Sequence, residues 1–398
     1  MNVIRKTKDA ELIIEYTDTE EGFKGWLVID SLSHRMAAGG LRVQQGLTCD
    51  CVRRLAATMT LKMRIAGIRA DGAKSGIDYD PRSPGKEEAL FRFIRAISPY
   101  MQNRYSMGPD LNTTMPELDA VCKRLGMFSI KTAVASNQGL DSAAFTERVR
   151  LLKQPVGHAT LGRLRSGAGL AASCLAALEF LDIPPKEATV AVQGFGGLAA
   201  GATYFLHQAG VKIVALADRE KSLLSINGTP LDIPSLLASS EQGEKGIIPT
   251  GQTGKTAYVE NKKIYDIPCD IFVPAAVEKA VDREIAENIR VKAIACGANL
   301  ATTEEAEKIL HQRSILVIPD MAAGCGGSLS MDGLFGPETL PAPEDVLAHV
   351  DRKTRSIVNT MLHRSREENI SPREAALSIC AEAPLYPNTR PYGTLVQQ

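Results

Sequence analysis

The sequence carries no excess charge of either sign. Lysine plus arginine and aspartate plus glutamate number 46 each. The basic surplus that a nucleic-acid or membrane-surface binder needs is therefore missing, and neither partner is expected. A long apolar run is missing too. The longest stretch, "GAGLAASCLAALEFL", contains Glu179 and is too short to cross a bilayer; it reads as a buried helix. The opening "MNVIRKTKDAELII" has no apolar core of the length an export signal requires. With reduced, structural thiols as the natural reading of the eight cysteines, this sets the expectation of a cytoplasmic chain. The six histidines show no H-x-x-H or H-E-x-x-H spacing, and only Cys49 and Cys51 form a close cysteine pair, so no metal site is expected. Internal repeats and low-complexity tracts are absent.

What is present is enough chain for two cores. A length of 398 residues with 44% apolar content exceeds what one ordinary core takes. The first part opens on β-like segments, "ELIIEY" and "GWLVIDSL". Val52, Leu55, Ala56, Met59 and Met63 then recur at helical spacing, and "KEEALFRFIRAISPYM" predicts a second helix. Between them "ADGAKSG", residues 70–76, reads as a glycine-punctuated loop that leaves Lys74 among residues too small to cover it. The centre changes character. "TVAV", a glycine turn, an alanine-rich helix and "KIVALAD" follow one another, and the short runs "CDIFVPAA", "VKAIACGA" and "SILVIPD" come after. Alternating strands and helices predict an α/β fold with a parallel sheet. The expected borders are 1–165 for a first α/β domain, 166–340 for a nucleotide-type domain, and 341–398 for two amphipathic helices.

"VAVQGFGGLAAGA" holds G-x-G-x-x-A at Gly194, Gly196 and Ala199, after a strand and before a helix. Gly194 permits the tight turn, Gly196 lets backbone approach a pyrophosphate, and Ala199 lets helix pack on strand. The helix N-terminus offers unpaired N–H groups and a positive dipole end to the diphosphate. Asp218, closing the next strand, can accept hydrogen bonds from the adenosine ribose. That carboxylate repels a 2′-phosphate, which Arg219 and Lys221 offset only in part. NAD is therefore the expected cofactor, with NADP left open.

Lys62 falls on the apolar face of its helix, three residues after Met59, and Lys74 follows beyond it. Alone, each reads as a solvated side chain; beside a dinucleotide unit they invite a catalytic reading. In order, the blocks "GGLRV" (39–43), "TLKMRIAGIRADGAKSGIDYDP" (60–81), "GPDLNTT" (108–114), "RSGAG" (165–169), "VQGFGG" (192–197), "CDIFVPAAVEK" (269–279), "GANLATTEEA" (297–306) and "VIPDMAAGCGG" (317–327) resemble the glutamate/leucine/phenylalanine/valine dehydrogenase superfamily. The resemblance covers most of the chain. It implies an N-terminal substrate domain and a Rossmann-type domain facing each other across a cleft, with C-terminal helices returning to the first domain, in a homo-oligomer. It implies that Lys74 and Asp110 are catalytic and that Lys62 binds the substrate α-carboxylate. Gly39 and Gly40 would line the substrate site. Gly194, Phe195, Gly196, Gly197, Asp218, Arg219 and Ala275 would meet the cofactor, with Ser166 near the carboxamide and Asn299 near the nicotinamide ribose.

The departures bear on the substrate. Glutamate-specific members of the family carry a lysine before the paired glycines, where this chain has Ala38, and a hydroxyl where it has Met331. An unpaired γ-carboxylate in a closing cleft costs several kcal/mol. The expected substrate is thus a neutral, hydrophobic L-amino acid, converted to its 2-oxo acid and ammonia, as in the leucine and phenylalanine branch. The rival readings are a glutamate dehydrogenase with an altered pocket and a non-catalytic, nucleotide-binding regulatory paralogue. Asp71 and Ser75 replace the glycines flanking the usual lysine loop, Cys296 a common glutamate and Gly324 a common asparagine. Asp71 either faces water or adds a charge near the lysine.

Overall fold

A computed structural model of the chain describes residues 10–226, 228–241 and 255–393. The chain divides into two compact units, Met1–Thr146 with Ala383–Gln398, and Glu147–Glu382. The first holds β1 (Leu12–Thr17), β2 (Lys24–Ile29), β3 (Ala37–Val43), α1 (Cys49–Ile65), β4 (Asp71–Ile77), α2 (Lys86–Met101), β5 (Tyr105–Pro109), α3 (Met115–Arg124) and α4 (Thr132–Gln138); α5 (Ser142–Leu151) carries the border. Its five-stranded sheet runs β1-β2-β4-β3-β5. β3 lies parallel to β4 and β5, and β2 antiparallel to β4. One face packs on α2 through Leu41, Phe93, Ile94, Ile97 and Tyr105.

α1 packs on β4. Its start is set by Thr48, whose hydroxyl accepts from the Cys51 N–H at 3.3 Å, an N-cap that satisfies one orphan donor. Its buried stripe includes Val52, Leu55, Ala56 and Met63, spaced as a helix face requires.

The expected loop at 70–76 is instead β4, a strand buried along its whole length. Asp-Gly-Ala-Lys-Ser-Gly lacks the β-branched and aromatic residues that fit a pleated surface. What makes it a strand is pairing on both edges, with β2 and with β3. Small residues serve close approach here. A Cβ on Gly72 would stand 2.1 Å from the Thr60 amide nitrogen and 2.3 Å from the Ala56 carbonyl oxygen, so α1 lies against bare backbone.

The second unit holds β6 (Pro155–Val156), β7 (Ala159–Thr160), α6 (Leu161–Phe180), β8 (Thr189–Gln193), α7 (Gly197–Gln208), β9 (Lys212–Ala217), β10 (Lys221–Ser225), α8 (Ile233–Glu241), β11 (Thr256–Glu260), β12 (Ile271–Pro274), α9 (Arg283–Asn288), β13 (Ala293–Ala295), α10 (Glu304–Gln312), β14 (Leu316–Ile318), α11 (Asp320–Ala323), α12 (Gly326–Phe335), α13 (Pro343–Glu368) and α14 (Pro372–Glu382). Its seven-stranded sheet runs β11-β10-β9-β8-β12-β13-β14. The five strands from β9 to β14 in that order are parallel, and the β10–β11 hairpin adds antiparallel strands. This is the predicted α/β architecture with a Rossmann-type parallel sheet.

The borders differ from the expectation. The first unit ends within α5, not near residue 165. α13 and α14 group with the second unit: α13 packs along α6 and α12, and α14 on α13 and β14. Only the chain after Glu382 groups with the first unit. There the Arg69 side chain donates to the carbonyls of Arg390 and Gly393, each at 2.8 Å, and Gln138 donates to that of Tyr392 at 3.1 Å. The apolar stripe of α13 is satisfied by α6 before the chain leaves the unit, which is why an amphipathic pattern alone misplaces it.

Gly72→Ala is expected to destabilise the first unit by about 2–3 kcal/mol, the cost of forcing a methyl into packed backbone. Urea unfolding checks this; a variant within about 0.5 kcal/mol of wild type contradicts the packing described.

Candidate active site

β4 presents Gly72, Lys74 and Gly76 on its α1 side, because strand residues two apart share a face. Lys74 is 3% exposed, so its ammonium needs a partner. It has one: Nζ lies 3.1 Å from Asp110 Oδ2. Asp110 follows β5, two positions past Gly108, whose register partner is Gly40. The same carboxylate oxygen accepts from Arg42 Nε at 2.8 Å, and Arg42 Nη1 donates to Gln44 Oε1 at 3.1 Å. One carboxylate is thus held by two cations from two neighbouring strands.

The loop after Asp110 fixes its direction. The Asp110 N–H donates to Thr113 Oγ1 at 2.9 Å, and that hydroxyl donates to the Leu41 carbonyl at 2.8 Å. Asn112, in the left-handed region at φ 61°, donates from Nδ2 to the Val43 carbonyl at 2.9 Å. Thr114 then caps α3 in a reciprocal box with Glu117. The paired glycines leave room for this. A Cβ on Gly39 would stand 1.7 Å from the Ala73 oxygen, and one on Gly40 2.7 Å from Asp110 Cβ.

Burial pushes the Asp110 carboxyl up, but Lys74 and then Arg42 outweigh it and hold it well below the usual carboxylate range. The triad's contribution to stability is therefore complete above the ordinary carboxylate range and lost only as pH falls through the depressed value. Tyr105, fully buried with its hydroxyl 2.8 Å from Ser75 Oγ, is pushed up by burial above all and stays a neutral phenol. Ser75 thus fills a glycine's place with a hydrogen bond below the sheet. Asp71 does not face water: it is fully buried, and Oδ2 accepts from the His34 N–H at 2.6 Å.

Lys62 is 6% exposed on α1, and Ala38 is buried on β3 at the register of Gly72 and Ser106. Arg42, within "GGLRV", is the residue the sequence reading missed. The signal was available: it lies two residues after Gly40 on a strand and so shares its face.

In the second unit Gly194 adopts φ +104°, a conformation glycine alone takes without strain, and a Cβ there would meet the Ala275 oxygen at 3.1 Å. α7 begins at Gly197, with no side chain capping its N-terminus. A Cβ on Gly196 or Gly197 would have nothing within 4 Å. Open space, bare amides and a helix dipole fit a diphosphate. Phe195 is partly buried between them. Asp218 closes β9, its Oδ1 accepting from the N–H groups of Glu220 at 2.8 Å and Lys221 at 2.9 Å; Arg219 beside it is exposed. Gly297 approaches Ala275 at the carboxyl ends of β12 and β13, and Asn299 follows. Ser166 on α6 neighbours Gly327, where a Cβ would stand 3.2 Å from its hydroxyl. Met331 is buried on α12, whose ends are tied by Arg165, donating to the Gly327 carbonyl at 2.9 Å, and by Arg148, donating to the Leu334 carbonyl at 2.7 Å. Gly324 closes α11 with its N–H on the Asp320 carbonyl at 2.8 Å. Among the described residues no cluster of three or more His, Cys, Asp or Glu could hold a metal ion, and no helix is long and apolar enough to cross a membrane.

Residues 162–383 match the Glutamate/Leucine/Phenylalanine/Valine dehydrogenase family, and residues 11–127 match the Glu/Leu/Phe/Val dehydrogenase dimerisation domain. The chain belongs to the Glu/Leu/Phe/Val dehydrogenase family. A glutamate dehydrogenase of Thermotoga maritima is 30% identical over 82% of this chain and 76% of its own length. A catabolic NAD-specific glutamate dehydrogenase of Bacillus subtilis is 30% identical over 73% of this chain and 65% of its own. An NADP-specific glutamate dehydrogenase of Halobacterium salinarum is 27% identical over 82% and 77%. Among solved structures, the hetero-hexameric glutamate dehydrogenase of Thermus thermophilus in its leucine-bound form has a TM-score of 0.74 at 22% identity, covering 94% of this chain and 88% of that one. L-tryptophan dehydrogenase of Nostoc punctiforme has 0.61 at 18%, covering 94% and 95%. At those identities the structural likeness speaks for the fold.

Arg42→Met removes one of the two cations on Asp110. The Asp110 carboxyl is expected to titrate closer to its ordinary range, followed by 13C-carboxyl NMR of aspartate-labelled protein; an unchanged midpoint contradicts the shared-cation geometry.

Proposed function

We propose that the chain oxidatively deaminates a neutral, hydrophobic L-amino acid with NAD(P), giving the 2-oxo acid and ammonia, and runs the reductive amination in reverse. The observation that carries this reading is the buried Lys74–Asp110–Arg42 triad, an acid–base pair with one member held ionised.

In this reading Lys62 binds the α-carboxylate as a fixed point charge and so orients Cα. Bound NAD(P)+ supplies the hydride acceptor for Cα. Asp110 takes a proton from the substrate ammonium, so the nitrogen lone pair can form the iminium as hydride leaves. Water then adds to that carbon. Asp110 passes the substrate's proton to solvent and takes one from the Lys74 ammonium across 3.1 Å. Lys74, now neutral, takes a proton from the water as its oxygen bonds to the carbon, and Asp110 gives its own to the nitrogen. The same carboxylate takes the hydroxyl proton as the C–N bond breaks and ammonia departs. The water oxygen becomes the ketone oxygen.

Ala38 and Met331 support a neutral side chain, since neither can pair with a γ-carboxylate, and this favours the leucine and phenylalanine branch. Asp218 favours NAD over NADP by charge. The match to a dimerisation domain supports a homo-oligomer, and the sequence supports a cytoplasmic one. A second reading, glutamate dehydrogenase with a rearranged pocket, is favoured by the names of the relatives.

Purified protein with ammonia, reduced cofactor and a panel of 2-oxo acids separates the readings. Oxidation of the cofactor with 4-methyl-2-oxopentanoate or phenylpyruvate is expected. Turnover with 2-oxoglutarate alone supports the second reading, and firm cofactor binding without any turnover supports a regulatory paralogue. Lys74→Ala should lower kcat by about 10²–10⁴-fold, the worth of a positioned acid–base group, with cofactor affinity nearly unchanged; an active variant contradicts its role.

A further inference from the structure

The turn that carries Asn299 is held in a costly shape by residues far from it in sequence. Leu300 adopts φ 51°, the left-handed region that a branched side chain avoids. Its N–H donates to Asp320 Oδ2 at 3.1 Å, and its carbonyl accepts from the Lys279 N–H at 2.8 Å. The next residues pair across a short parallel bridge between Val281 and Thr302. Asp320 is 1% exposed, so its carboxylate needs a counter-charge to stay ionised there. Arg373 on α14 supplies it. Nη2 lies 3.4 Å from Asp320 Oδ1 and 2.6 Å from Glu307 Oε1, and Glu307 also accepts from the Thr302 hydroxyl. Burial pulls the Arg373 guanidinium down, but the two carboxylates outweigh it and hold it charged.

We propose that Arg373 is a positioning residue for the cofactor site: through Asp320 it keeps Leu300 left-handed, and with it the aim of Asn299. This rests on the reading of Asn299 as a cofactor residue. A left-handed Leu is strained and persists only where its surroundings over-determine it. Without Arg373, half-buried Glu307 and buried Asp320 are left as two carboxylates with no cation between them. One is then protonated or displaced, and the Leu300 N–H loses its charged acceptor. The residue relaxes towards right-handed backbone, and Asn299 turns with it. Cys296, in place of the family's common glutamate, leaves this pocket without a further carboxylate; its buried thiol, 3.9 Å from the Thr302 hydroxyl, is pushed up by burial and stays neutral. Two carboxylates are thus left to one guanidinium.

The test is fluorescence titration of the full-length protein with NADH and with NADPH. Wild type is expected to bind at least one of them. Arg373→Met should weaken that binding about tenfold, since each tenfold is about 1.4 kcal/mol and the strain at stake is of that order. Arg373→Lys, which keeps the charge but not the fork, should recover part of the loss. Leu300→Asn added to either variant should recover at least half of it on a logarithmic scale, because asparagine accepts left-handed backbone more readily. Should Arg373→Met fail to fold, Arg373→Lys with and without Leu300→Asn makes the same comparison. Unchanged binding in the Arg373 variants overturns the proposal. So does weakened binding that Leu300→Asn leaves unrelieved, the mark of a residue that only holds the unit together. A wild-type protein that takes up neither NADH nor NADPH overturns the reading of Asn299 first, and the proposal with it.

Discussion

Asp110 is a carboxylate on which two cations converge, Lys74 at 3.1 Å and Arg42 at 2.8 Å on the same oxygen. Burying a lysine ammonium costs far more than a surface pair returns unless a partner stands ready, and Asp110 is that partner. Much of the first unit can be understood as making this meeting sterically allowed. β3 and β5 bring Arg42 and Asp110 to one face; Gly40 lacks the side chain that would meet Asp110, and Gly39 lets β3 lie against the Ala73 carbonyl of β4. β4 lays Lys74 between β2 and β3 in a strand whose neighbours are too small to crowd it. The loop after Asp110 then spends Asn112 and Thr113 on fixing the carboxylate's direction.

The second unit solves a different problem with similar means. Its parallel sheet ends in a glycine turn at Gly194 and an uncapped helix start, leaving backbone amides for a diphosphate. Around that opening the structure holds strained backbone in place with buried charge. Leu300 is the clearest case, with its left-handed shape fixed by a carboxylate that is itself fixed by an arginine from α14. In both units a carboxylate whose charge is secured elsewhere sets the geometry at the site.

Much of this was legible in the sequence. The amphipathic pattern of "KEEALFRFIRAISPYM" marks α2 at its observed bounds, Lys86–Met101. "TVAV", "KIVALAD", "CDIFVPAA", "VKAIACGA" and "SILVIPD" mark five parallel strands, because buried strands read as short apolar runs. β4 was not legible as a strand. Its residues from Asp71 to Gly76 have no β preference, and only partners on both edges make it a strand, which local pattern cannot report. Arg42 escaped notice although strand alternation puts it on the face of Gly40; the register that brings Asp110 to that face is what the sequence does not show. Arg373 lies on a helix whose amphipathic pattern says only that it packs, not on which charge. The C-terminal helices group with the second unit, which their pattern does not report for the same reason: an apolar stripe predicts burial, while α6 decides where.

The central claim is that Asp110, kept ionised by Lys74 and Arg42, carries the proton to and from the substrate nitrogen. Asp110→Asn tests it most directly, since the amide keeps the shape and loses the charge. With whichever 2-oxo acid supports turnover, the variant should lose about 10²–10⁴-fold in kcat, the range for a positioned acid or base, while binding reduced cofactor as wild type does. Wild-type turnover by the amide variant would contradict the claim.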